Sequence, residues 1–116
     1  MAKTREIRDP HGVVHQANRI LRDKKLKLGL LDALAELEDE ECFARKSFPK
    51  TRLHKVTGVK ESVFRADVDQ KTGWRLHVQH APDGTHILLN DILEAHDHDH
   101  AARMIKTRKH RYVTPS

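Results

Sequence analysis

Ser62-Val63-Phe64-Arg65-Ala66-Asp67-Val68-Asp69-Gln70-Lys71-Thr72-Gly73-Trp74-Arg75-Leu76-His77-Val78-Gln79-His80 decides the fold. Apolar Phe64, Ala66 and Val68 alternate with Arg65, Asp67 and Asp69, and Trp74, Leu76 and Val78 alternate with Arg75, His77 and Gln79. A period of two puts successive side chains on opposite faces, which predicts two half-buried strands. The Gln70-Lys71-Thr72-Gly73 segment between them is turn chemistry, as is Ala81-Pro82-Asp83-Gly84 further on. Thr85 to Leu93 then reads as a third, more continuously apolar strand with Ile87, Leu88, Leu89, Ile92 and Leu93. The pattern predicts a three-stranded antiparallel meander.

Placing apolar against apolar predicts a register, because facing residues share a face. Ala66 falls opposite Val78 and Val68 opposite Leu76, which sets Asp67 against His77 and Asp69 against Arg75. Across the second turn, His80 opposite Thr85 places Val78 by Ile87, Leu76 by Leu89 and Arg75 by Asn90. One face is then apolar and receives helices. The other is a polar floor of Arg65, Asp67, Arg75, His77, Gln79 and Asn90.

Before this region the period is helical. Asp9-Pro10 is a start signal, with Asp as the cap and Pro at the first helical position. Val13, Val14, Ala17, Ile20 and Leu21 fall on one face, and Arg22, Lys24 and Lys25 close the helix in accord with its dipole. A second stripe, Leu26, Leu30, Leu31, Leu34, Leu37 and Cys42, predicts a helix beginning between Leu26 and Gly29 and running to about residue 43. After the sheet, a last helix starts near Asp97 or Asp99 and passes through Ala101, Ala102 and Ile105. The expected architecture is α+β: an N-terminal helical hairpin packed on a small antiparallel sheet, with a C-terminal helix. At 116 residues the chain, 1–116, is read as a single domain, since a second core would leave each too little apolar surface.

Charge narrows the class of partner. The balance is 22 − 17 = +5 before any of the ten histidines is protonated, which favours a polyanion. It is also segregated. Residues 32 to 41 are acidic without a base, and 45 to 60 hold Arg45, Lys46, Lys50, Arg52, Lys55 and Lys60 without an acid. The end carries Arg103, Lys106, Arg108, Lys109 and Arg111. Any one such block is ordinarily a solvated face, but two of them flank the strand region. The single cysteine, Cys42, has no internal disulfide partner and reads as a packing residue. No N-terminal apolar segment is long enough for a signal peptide or a membrane span, so a cytoplasmic location and no membrane partner are expected.

At this point the residues resemble a family. A helical hairpin is followed by Leu53-His54-Lys55-Val56-Thr57-Gly58, a strand ending in Asp67-Val68, and Gly73-Trp74-Arg75-Leu76. Ile87-Leu88-Leu89 then leads to Ala95-His96-Asp97. This order is similar to the RelE/ParE superfamily of type II toxins, over roughly residues 26 to 105. The resemblance implies metal-independent cleavage of mRNA at the ribosome by its RelE-like members, leaving a 2′,3′-cyclic phosphate. It implies poisoning of DNA gyrase by ParE-like members, and a cognate antitoxin as partner.

Attack of a ribose 2′-OH on its own phosphate needs a base, a proton donor for the leaving 5′-oxygen, and cations for the phosphoryl charge. Arg75 matches the family's strand arginine, and its planar fork suits a phosphate. Arg65 on the neighbouring strand and Lys55 on the preceding loop are second phosphate contacts. His96 or His98, after the third strand, falls where the family places a catalytic residue, and His77 beside Arg75 is the alternative base. Lys50, Arg52, Lys55, Arg108, Lys109 and Arg111 are expected to contact RNA.

One departure is plain: where RelE-like enzymes carry a tyrosine, this chain has Ala101 and Ala102, and its only tyrosine is Tyr112. Trp74, within the apolar alternation, is read as core rather than as a base-stacking ring. His96-Asp97-His98-Asp99-His100 also has the look of a metal site. Without a further arranged set of ligands, a helix start capped by Asp97 or Asp99 with solvated histidines is the expected reading, and neither metal nor cofactor is expected. The competing functional reading is a basic protein that grips RNA or ribosome without cutting it.

Overall fold

A computed structural model describes residues 6–82, 84–94 and 98–113, with the side chains of residues 98–101 outside the description. The chain is α+β. The first element is a short strand, β1 (Glu6–Arg8), followed by helices α1 (Val13–Ile20), α2 (Lys24–Glu38) and α3 (Glu40–Arg45). Strands β2 (His54–Lys55), β3 (Phe64–Asp69), β4 (Trp74–His80) and β5 (His86–Glu94) come next, then α4 (His98–Thr107) and a 3-10 turn at Lys109–Arg111.

The helices thus do not open the chain, and the sheet is not a three-stranded meander. It has five strands in the order β1-β5-β4-β3-β2, with β1 parallel to β5 and the other pairs antiparallel. β1 offers one apolar residue, Ile7, between two charges, too short an alternation to stand out in sequence.

Asp9 caps α1 from further back than expected. Its carboxylate accepts from the amides of Val13 at 2.6 Å and Val14 at 2.9 Å, while Gly12, at φ 67°, takes the left-handed step between. The helix ends at Ile20, and Asp23 starts α2 by accepting from the Lys25 amide, so Lys24 and Lys25 open the second helix instead of closing the first. Leu30, Ala33 and Leu37 of α2 are buried, whereas Leu31, expected in the same stripe, is 60% exposed.

The main core lies between these helices and one sheet face. Val13, Ala17, Leu21, Leu30 and Leu37 pack on Ala66, Val68, Leu76, Val78, Ile87, Leu89 and Ile92, with Trp74 at the margin. Each of the larger apolar side chains contributes roughly 1.5–3 kcal/mol when fully buried, relative to exposure.

The register differs from the expected one because both turns close on other partners, Asp69 with Trp74 and His80 with Ile87, and a bulge in the β3–β4 and β4–β5 pairs shifts it by one residue more. Ala66 faces Leu76 and Asp67 faces Arg75, then Val68 and Asp69 together face Trp74. The turn fixes this: the Asp69 carboxylate accepts from the Thr72 amide and hydroxyl, and Gly73, at φ 80°, closes it through its amide to the Asp69 carbonyl. The carbonyl of bulged Val68 accepts from Lys50 Nζ at 2.8 Å and lies under Gly29, where a Cβ would come within 2.7 Å of it. Glycine is what lets α2 approach so closely. In the other pair Val78 faces Leu89 and His77 faces Asp91, so Asn90 is the extra residue and Arg75 is opposite Leu93 instead of Asn90.

Candidate functional site

The face away from the helices is polar, but it is not an open floor. His77 and Asp91 are fully buried, and Asn90, Gln79, Asp67 and Arg75 nearly so. The C-terminal segment covers much of it. Val56, Val63, Ile105 and Tyr112 form a second apolar cluster on this side, and the segment then pairs with the floor group by group.

Tyr112 Oη is 2.8 Å from His77 Nδ1. Burial first, and then Asp91, push the Tyr112 hydroxyl above its ordinary pKa, so it remains a neutral phenol. Gln79 treats Val113 as a strand partner, donating from Nε2 to its carbonyl and accepting from its amide. Asn90 Nδ2 donates to Gln79 Oε1 and to the Arg111 carbonyl. Asp91 accepts from Arg108 Nη1 at 2.7 Å, Arg111 Nη1 at 3.1 Å and the Ile92 amide at 2.9 Å. The bulge at Asn90 explains why two consecutive residues both serve this face.

The other end of the floor is different. Three arginines gather around one carboxylate, Asp67. Arg52 takes Asp67 Oδ2 with Nε at 2.8 Å and Nη2 at 2.7 Å. Arg65 Nε lies 4.0 Å from Oδ1, an ion pair but too long for a hydrogen bond. Arg75 faces Asp67 across the sheet, and its Nε and Nη1 are buried without a hydrogen-bond partner among the described residues. Arg65 and Arg75 are diagonal neighbours, about 7–8 Å apart by strand geometry.

Burial, opposed by Asp67 and reinforced by Arg52, holds the Arg65 guanidinium below its ordinary pKa. Burial, then Arg65, does the same to Arg75, again opposed by Asp67. Both stay protonated at neutral pH. Arg52 is held in the left-handed region at φ 46°, a conformation that costs a non-glycine residue of order 1–3 kcal/mol and persists only where its surroundings impose it. The arrangement therefore has two cationic forks with more donors than local acceptors.

The sequence reading overlooked His54. It faces Arg65 in the β2–β3 pair and is exposed, and its Nδ1 is 2.7 Å from the Arg52 carbonyl. A carbonyl oxygen only accepts, so Nδ1 carries the proton and Nε2 of the neutral ring keeps its lone pair. Facing residues share a face, so this imidazole stands beside the arginine cluster. The available signal was its place next to Lys55 in a basic stretch.

The other candidates separate clearly. His77 is sealed beneath Tyr112. His96 lies outside the described residues, as does the side chain of His98, so the histidine string is not described as a site; Glu94, two residues before His96, faces Trp74 next to Arg75. Of the expected RNA contacts, Lys50, Arg108 and Arg111 have their charged ends engaged within the protein. Arg52 is ion-paired but half exposed, and Lys55 and Lys109 are exposed.

Among the described residues no group of three or more His, Cys, Asp or Glu is arranged to hold a metal, and no helix is long and apolar enough to cross a membrane. Compared with known proteins, the chain matches no family model, no curated protein and no solved structure.

Proposed function

We propose that this protein is an endoribonuclease of the RelE kind, a toxin that cuts mRNA at the ribosome and is restrained by an antitoxin. The observation that carries the reading is the donor surplus at Arg65 and Arg75 around a carboxylate already held by Arg52. A phosphodiester supplies the acceptors that such a cluster lacks, and a planar guanidinium meets it bidentately.

In the proposed reaction the 2′-oxygen attacks phosphorus and the bond to the 5′-oxygen breaks, leaving a 2′,3′-cyclic phosphate and a free 5′-hydroxyl. Arg75 and Arg65 hold the phosphoryl oxygens and stabilise the charge that develops there. His54 Nε2 accepts the 2′-hydroxyl proton, and the histidine segment after β5, His96 or His98, returns a proton to the leaving oxygen. No metal enters.

The burial of His77 favours a second reading, in which the protein grips RNA without cutting. Induced expression in bacteria followed by mapping of mRNA ends separates the two. Cleavage by wild type, its loss in Arg75→Ala, and a fall of roughly 10²–10⁴-fold in His54→Ala are expected. Intact transcripts with inhibited translation support the second reading, and supercoiling defects with intact mRNA point to a gyrase target; either result overturns the first.

A further inference from the structure

A cleft of about 420 Å³, of the size of ordinary ligand pockets, lies between the loop joining β2 to β3 and the end of α4. Gly58, Val59, Lys60, Glu61, Lys106 and Lys109 line it. The lining thus holds three lysines to one glutamate, all three lysines are exposed, and none is in an ion pair among the described residues. This differs from Arg108 and Arg111 of the same segment, which are both ion-paired with Asp91. Val59, packed on the second apolar cluster, gives the cleft an apolar patch beneath its cations.

The walls are braced. The Val56 amide donates to the Val63 carbonyl at 2.8 Å, continuing the His54–Arg65 and Lys55–Phe64 pairs toward the loop tip. Val63 and Val56 pack against Ile105 and Tyr112 of the C-terminal segment. The cleft therefore occupies the tip of the same hairpin whose base carries His54 and Arg65. In sequence Gly58 lies four residues past His54, and Glu61 four residues before Arg65.

We infer that this cleft is a second subsite for single-stranded RNA, taking the backbone phosphates that flank the one held at Arg65 and Arg75. The inference rests on the proposed ribonuclease reading for what occupies the arginine cluster. Three unpaired lysines on flexible stems act as point charges and suit a backbone followed without sequence preference. An acidic peptide is the competing ligand, and the test includes it.

The test measures the affinity of a fluorescent single-stranded RNA with 2′-O-methyl riboses, which cannot be cut by 2′-OH attack, at several salt concentrations. Wild type is compared with Lys60→Ala/Lys106→Ala/Lys109→Ala, and with Lys24→Ala/Lys25→Ala/Lys71→Ala as a charge-matched control. Removing one lysine from a phosphate lowers the slope of log K against log salt by about 0.7, so the cleft variant should fall by about 2 and the control by clearly less. Thermal melting checks that both variants fold, as exposed unpaired lysines should permit.

Equal slopes for wild type and cleft variant, equal reductions in cleft variant and control, or displacement of the RNA by polyglutamate at matched charge each overturn the assignment, as does wild type that does not bind. A parallel assay that maps the ends of all-ribose mRNA on translating ribosomes separates the two readings. Binding that depends on the three lysines, without cleavage, removes the ribonuclease and keeps the cleft, whereas cleavage lost in Arg75→Ala with an unchanged slope in the cleft variant does the reverse.

Discussion

Asp91→Asn tests whether the C-terminal segment is fastened to the sheet by the charge pairing described. Asp91 is fully buried, and its two oxygens receive Arg108, Arg111 and the Ile92 amide at 2.7, 3.1 and 2.9 Å. Asparagine keeps the shape and one acceptor, but it removes the charge and turns an N–H toward a guanidinium. Breaking a buried pair by removing one partner costs roughly 3–5 kcal/mol. The arginines here retain 37% and 20% side-chain exposure and can turn toward water, so the expected loss is at the lower end, about 3 kcal/mol. For a chain of this length that corresponds to a fall in Tm of roughly 10–15 °C. The assay is thermal and urea denaturation followed by circular dichroism, with Arg45→Ala as the control. Its partner Glu41 and Arg45 itself are 57% and 74% exposed, so their pair is worth less than about 1 kcal/mol. A variant melting within about 3 °C of wild type refutes the reasoning and leaves the tail held by its apolar contacts and its neutral hydrogen bonds to His77, Gln79 and Asn90.

Arg75→Met should raise Tm by a few degrees, because it replaces a desolvated guanidinium, repelled by Arg65 and with two N–H groups that have no partner among the described residues, by an apolar chain; an unchanged or lower Tm counts against the described strain. Gly29→Ala gains about 1 kcal/mol of helix propensity. It also drives a Cβ to 2.7 Å from a sheet carbonyl that cannot move freely, so a net loss of about 1–3 kcal/mol in urea denaturation is expected. The Thr72 hydroxyl and then its amide hold the Asp69 carboxyl below its ordinary pKa. A carboxyl depressed on folding stabilises the protein above its unfolded value of about 3.9 and loses that contribution as pH falls through the folded value. The stability difference between wild type and Asp69→Asn should therefore be constant near neutrality and close below about pH 4, as measured by urea midpoints.

What was legible in sequence followed from periodicity. The alternations at 64–69 and 74–80 placed both strands and assigned their faces correctly, because a shift of two residues keeps parity even when the partners are wrong. The partners were wrong because the turns close on other pairs than composition suggests, and because a bulge leaves no mark on an apolar-polar pattern: Val68 and Asn90 look like ordinary members of their strands. The helical stripe found Leu30 and Leu37 and overextended to Leu31, since a run of leucines does not say where the buried arc ends. Arg65, Asp67 and Arg75 were found together as a polar row. Its cover was not, because the bonds that bury it are long-range, such as Tyr112 to His77 across 35 residues, and the tail reads locally as a basic, solvated end. His54 was passed over for the same reason, since its relation to Arg65 exists only once β2 pairs with β3.

The polar face thus resolves its charges in two opposite ways, and the contrast bears on function. At the β5 end both arginines brought by the tail meet an acceptor, with Asp91 fully buried between them, which is how a protein makes a buried polar layer tolerable. At the β3 end one carboxylate among the described residues serves three guanidiniums, and the two less exposed ones have donors without a hydrogen-bond partner there. Packing alone gives no reason for that inequality, since an apolar side chain at position 75 would fill the space without the desolvation cost. In the proposed ribonuclease an anion completes this cluster, and the Arg75→Met measurement decides whether the cluster costs the fold stability. That is why the stability of Arg75→Met and the loss of cleavage in Arg75→Ala need to be measured on the same preparation of protein. A gain in the first together with loss of the second ties the strain to the site, and a gain without it leaves the arginine with neither a structural nor a catalytic role.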